Sequence, residues 1–222
     1  MKRCLVTHAE SHLGYVLTQL LKEKGRDVTA LVESKKVKND FTGRGIHAVQ
    51  GHWSDPEVSS EYLKECGTVF HTASALQSDL GEIPKAMEHL KGFLKASKEA
   101  GVSTFIHLGS IASAGYAEDA LNHLSEKSWA VNPLSDPFKS ELWLERTAHC
   151  MAEGLGLDFR VGLAGFIFGP QCIRRDKVIS ILTEFLEWGL PGNLRGGFNV
   201  ADVRDVAAGM ILIEENGGLG HR

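Results

Sequence analysis

The chain has 222 residues, 43% of them hydrophobic, and a formal net charge of -4 at pH 7. That length buries the core of one domain, and Lys and Arg dispersed among Asp and Glu leave no basic stripe for a nucleic-acid backbone. No apolar run reaches membrane-spanning length and no apolar signal segment precedes the first strand, so no membrane association and a cytoplasmic location are expected. The four cysteines, Cys4, Cys66, Cys150 and Cys172, form no CxxC pair and read as free thiols in a reducing compartment.

The first strand, Arg3 to Thr7, runs through THAESHLG into a helix from Gly14 to Lys24. There follow DVTALV, IHAVQ, a helix, TVFHTAS, a long helix, TFIHLGS, a helix, and FRVGLAGFIFG as a last apolar run. Short runs rich in Val, Ile and Phe that alternate with helical patterns are the sequence form of a parallel sheet covered on both faces. A doubly wound α/β fold in one domain, residues 1–222, is expected. The helix from about Ile83 to Ala100 carries Met87, Leu90, Leu94 and Ala96 near one face and meets a suitable cap at Gly101. Asp136 to Gly154 is similar, with Leu142, Trp143, Leu144, Ala148 and Met151. The polar stretch between Gly115 and Pro137 reads as a loop near the strand ends, where ligand sites of this architecture lie.

Six short motifs occur in order: Leu13-Gly14 after the first strand, VFHTAS, EAGVSTFIHLGS, FGP, GLPG and NVADVRDVAAG. Together they resemble the extended short-chain dehydrogenase/reductases, in the branch of NAD-dependent epimerase/dehydratases and dihydroflavonol reductases. The resemblance implies a Rossmann-like fold from Met1 to about Gly220. It also implies a TGxxGxxG turn, whose glycines admit a pyrophosphate at the helix N-terminus. Here His8 and Ser11 replace the first two glycines and would crowd that group. Gly14 remains, in a position that packs helix on strand. His52-Trp53 follows Gly51 where the family has Asp-Leu, so an adenine contact is lost. Glu33 after the second strand matches a ribose acceptor that favours NAD; Lys35 and Lys36 beside it fit a surface-charge reading equally. No cofactor is expected, and NAD if any, with Gly14 and Glu33 as the candidate contacts.

The family's catalytic Tyr and Lys fall on Pro137 and Glu141, or on Phe138 if the alignment slips by one, while the carbonyl-polarising Ser is kept as Ser110. Leu163-Ala164 stands where the family has Arg-Pro before FGP. The small substrate subdomain of the family is expected to be largely absent, leaving a shallow, open cleft unless a partner chain closes it. The family's two long helices commonly pair with their copies, which implies a homodimer.

Ser110, Glu141 and Tyr116 are the candidate catalytic residues, Glu141 as an acid or base if it points into the cleft. Ser74, Gln77, Ser113 and Phe138 are the candidate substrate contacts. HAESH lacks the spacing and third partner of a zinc site, so no metal is expected. His71 and His107 read as packed core residues, and Trp53, Trp129, Trp143 and Phe138 either floor an aromatic pocket or pack. Three functions remain. The first is a non-redox isomerase, lyase or cyclase acting on a small carbonyl-containing molecule. The second is a non-catalytic ligand- or protein-binding module. The third is an NAD(P)-dependent reductase or epimerase.

Overall fold

Strand β1 (Arg3–Thr7) carries Cys4, Leu5 and Val6 with no exposed surface, because helices cover both faces of the sheet it centres. A computed structural model describes residues 3–55, 61–73, 83–117, 123–132, 136–173, 177–189, 197 and 199–222. Beside β1 lie β2 (Val28–Val32), β3 (His47–Gln50), β4 (Cys66–His71), β5 (Thr104–Ser110) and β6 (Asp158–Ala164), in the parallel order β3-β2-β1-β4-β5-β6. The doubly wound, Rossmann-like α/β fold is therefore as expected. After β3 the chain returns to the centre, so the order reverses between β1 and β4; ligand crevices in such sheets open at the strand carboxyl ends beside that point.

Helices α1 (His12–Glu23) and α6 (Val203–Asn216) cover one face, where Leu17 and Leu21 share a core with Ala207, Met210 and Ile211. Helices α3 (Ile83–Glu99) and α4 (Asp136–Leu155) cover the other, joining Leu90, Phe93, Leu144 and Ala148 to Phe105 and Phe159. A two-pronged ion pair from Arg26 to Glu214, at 2.9 and 2.7 Å, ties the start of β2 to α6.

Three sequence expectations change. α1 begins two residues earlier than Gly14, because Ser11 caps it. FRVGLAGFIFG is two strands: it breaks at Gly165, and β7 (Phe166–Phe168) pairs with β8 (Val200–Asp202) in a separate two-stranded sheet. A Cβ at Gly165 would lie 2.3 Å from the Asn199 carbonyl oxygen, so the close approach that splits the run requires glycine. Trp143 is 53% exposed on α4, outside the core. The sequence reading also passes over α2 (Lys35–Gly43), which buries Phe41 from an otherwise polar segment, and α5 (Lys177–Trp188). No helix among the described residues is long and apolar enough to cross a membrane.

Candidate functional site

Two stretches of the sheet's carboxyl edge carry the sequence candidates. At the first, His8 takes φ 49°, the left-handed conformation that glycine adopts without strain, so the backbone keeps the family's turn and adds an imidazole to it. Ser11 is the N-cap of α1, and its Oγ accepts the Gly14 N–H at 3.0 Å. A Cβ on Gly14 would stand 2.4 Å from the His8 carbonyl oxygen and 2.8 Å from Ala9 Cα, so this glycine serves the packing of helix on strand. Thr72 donates to the Thr7 carbonyl at 2.7 Å. Glu10, 2% exposed, accepts the Glu33 N–H at 3.0 Å through one oxygen, and its other oxygen has no hydrogen-bond partner. The Glu33 carboxylate itself stands at the surface, 3.7 Å from His52.

A nicotinamide dinucleotide bound as the family binds it would set a diphosphate at the α1 N-terminus and a ribose diol beyond β2. Ser11 already holds an amide of that N-terminus, and the buried Glu10 carboxylate spans the ends of β1 and β2, where its charge opposes a diphosphate. These residues do not fit the group. Glu10 escapes a sequence reading that checks only the glycine positions; its signal is an acid between the two replaced glycines.

The second stretch lies beyond β5 and β6. A cleft of about 720 Å³ is walled by Ser110, Tyr116, Phe138, Leu163, Phe166 and Asn199, with His123 and Glu126 on its loop side. None of its walls comes from Thr7–Gly14 or Glu33. Ser110 ends β5; its Oγ accepts the Ala112 N–H at 3.2 Å, which leaves the hydroxyl hydrogen to donate elsewhere. Tyr116 and Phe138 join Ser110 on the cleft wall. Ser113 does not: fully buried, it donates to the Ser110 carbonyl at 2.8 Å and accepts from Arg222 at 2.8 Å. Glu141 is 3% exposed and is not among the residues that wall the cleft. Ser74 and Gln77 lie outside the described residues. Of the aromatic candidates only Phe138 lines the cleft, since Trp53 is buried against His71 at 4.7 Å and Trp129 lies under Arg222.

The sequence reading misses Glu145 and Arg222, which meet at 2.5 Å with side chains 1% and 6% exposed. Burial pushes the Glu145 carboxyl up, against the opposing effects of Ser113 and Arg222. His71 and His107 are core residues as expected, stacked at 5.4 Å, with His71 Nδ1 2.9 Å from Thr7 Oγ1. Burial holds His71 well below the usual imidazole range and His107 down to about 3. Among the described residues no group of three or more His, Cys, Asp or Glu is placed to hold a metal ion.

A family model described as NAD(P)H-binding matches residues 9–146. The chain belongs to this NAD(P)H-binding family, within the extended short-chain dehydrogenase/reductases. It is 27% identical over 217 residues to a protein of Synechocystis sp. named "Putative dihydroflavonol 4-reductase", covering 96% of this chain and 63% of that protein's length. The yeast methylglyoxal/isovaleraldehyde reductase Gre2, solved with NADPH, superimposes with a TM-score of 0.81 over 99% of this chain and 76% of its own, at 19% identity. A nucleoside-diphosphate-sugar epimerase from Pseudomonas aeruginosa gives 0.82 over 100% and 70%, at 17% identity. At those identities the likeness is one of fold. NAD(P) is thus the cofactor class that the family implies.

Proposed function

We propose that this chain, as a single domain within a homodimer, is a cofactor-independent enzyme acting on a small uncharged molecule that bears a carbonyl. The observation that carries the reading is the pairing of a kept Ser110 on the cleft wall with Pro137 and a buried Glu141 at the family's Tyr and Lys positions. Among the described residues the cleft walls include Glu126 but neither Lys nor Arg, which supports an uncharged substrate. Tyr116, Phe138 and Phe166 give the cleft aromatic lining, which suits a ring ketone, and the Synechocystis relative carries the name "Putative dihydroflavonol 4-reductase". In this reading Ser110 donates to the carbonyl oxygen and stabilises the negative charge that develops as a proton leaves the adjacent carbon. The proton passes to the imidazole of His123, while Tyr116 acts as a second hydrogen-bond donor to the carbonyl oxygen. It returns to a different carbon in an isomerisation, or leaves with a departing hydroxyl as water in an elimination, and no hydride moves. The half-exposed Trp143 on α4, which packs beside α3, favours the two-helix dimer face, and light scattering distinguishes the dimer from a monomer.

The family match over residues 9–146 favours a second reading, an NAD(P)-dependent reductase or epimerase. Deuterium exchange beside the carbonyl of a flavanone-type ketone, followed in D2O without nucleotide, separates the readings. Wild type should exchange, and Ser110→Ala should be slower by about 10² to 10³, the usual loss on removing one such donor. Equal rates in the folded variant would reject the cofactor-independent reading. Turnover only with NAD(P)H would establish the second, and binding without turnover would leave a binding module.

A further inference from the structure

The cleft has one wall that no sheet strand supports. His123, Ser125 and Glu126 line it from a loop of which residues 123–132 are described. This loop lies across from Ser110, and a hydrogen-bonded strand edge does not hold it. What holds it is a side chain from the far end of the sequence. The Arg222 guanidinium makes four hydrogen bonds: Nε to Glu145 Oε1 at 2.5 Å, Nη1 to the carbonyls of Glu126 at 3.0 Å and Ser128 at 2.6 Å, and Nη2 to Ser113 Oγ at 2.8 Å. Its plane lies 3.5 Å from the Trp129 ring centroid. The backbone beside it is fixed to the sheet, since Val161 donates to the His221 carbonyl at 2.9 Å.

We infer that Arg222 is the positioning residue of the cleft: it clamps the 123–132 wall to the end of β5 and to α4, and so sets the opening above Ser110. Each of its partners belongs to a different part of the site. Ser113 donates to the Ser110 carbonyl at 2.8 Å and accepts the Ala130 N–H through its own carbonyl at 2.8 Å, so the guanidinium reaches both cleft walls through one serine. Glu145 anchors the clamp in α4, two turns beyond Phe138. A buried ion pair is a poor device for raw stability, because desolving two charges offsets their attraction. A fork of fixed donors is a good device for holding loop carbonyls in one arrangement, which lysine's point charge cannot reproduce. The inference concerns the cleft that the proposed function uses, but its test needs no substrate, so either can fail alone.

The experiment compares wild type, Arg222→Lys and the double variant Glu145→Met/Arg222→Met, which keeps the volume and removes both charges together. Trypsin cleavage after Lys127 is followed by mass spectrometry while circular dichroism reports thermal unfolding of the whole fold. Both variants should unfold near the wild-type midpoint, yet be cut after Lys127 at least about tenfold faster. That is the size expected from losing the hydrogen bonds to the loop carbonyls, because proteolysis follows the open population. Arg222→Lys should sit between wild type and the double variant. Wild-type resistance at Lys127 in the double variant would overturn the inference. So would global unfolding of both variants, which would make the pair a support of the core and not a clamp on one wall.

Discussion

At the end of β1 the side chains of Ser11, Glu10 and Thr72 each bond a backbone group, whereas at the end of β5 the Ser110 side chain lines a cleft. Ser11 takes the Gly14 amide, Glu10 takes the Glu33 amide through one oxygen while its other oxygen has no hydrogen-bond partner, and Thr72 binds the Thr7 carbonyl. Ser110, by contrast, is held as an acceptor by Ala112 and faces a cleft of about 720 Å³. Both regions have the same backbone logic, a strand that ends in a helical turn. The difference lies in the side chains. His8 keeps the left-handed φ and Gly14 the close contact, so the scaffold of the turn is kept.

The largest effect expected concerns the seam between the two regions, where His71 on β4 stacks on His107 on β5. An unfolded chain binds a proton at His107 near pH 6.5, whereas the fold holds this imidazole neutral down to about 3. Stability is therefore whole above 6.5 and falls as the pH drops from 6.5 towards 3. The full interval of about 3.5 units corresponds to roughly 4 to 5 kcal/mol, with His71 acting in the same direction. Urea unfolding at pH 7 and pH 5 reads it, and His107→Phe should flatten the dependence. A midpoint constant down to pH 4.5 would remove the seam as a weak point.

A smaller effect sharpens the contrast at the turn. Gly14→Ala should cost about 1 to 3 kcal/mol in thermal unfolding, because its Cβ meets backbone and α1 must shift. A variant as stable as wild type would mean that Gly14 is kept for something other than packing.

Much of this contrast is legible in the sequence, and the part that is not has physical causes. Apolar runs fix the central strands: TFIHLGS is β5 residue for residue, since both faces of that strand are covered. Ser110 is equally plain as a hydroxyl at a strand end. The break at Gly165 is invisible because its cause, the Asn199 carbonyl, is remote in sequence, and α2 is hidden because one buried phenylalanine makes no period. Ser113 is correctly near Ser110 yet engaged by Arg222, 109 residues away. The Glu145 partner of the same arginine is 77 residues away, so no local pattern announces either contact. Glu10 could have been noticed, as a carboxylate set where the family brings a diphosphate.

The central claim is that the turn is occupied by its own side chains, and calorimetric titration of NADH and NADPH tests it most directly. The protein as it stands should bind either nucleotide no tighter than about 1 mM, or about -4 kcal/mol. The triple variant His8→Gly/Glu10→Thr/Ser11→Gly, freed of the imidazole, the buried carboxylate and the cap, should gain at least about tenfold, or 1.4 kcal/mol. A micromolar dissociation constant for the unaltered protein would contradict the account.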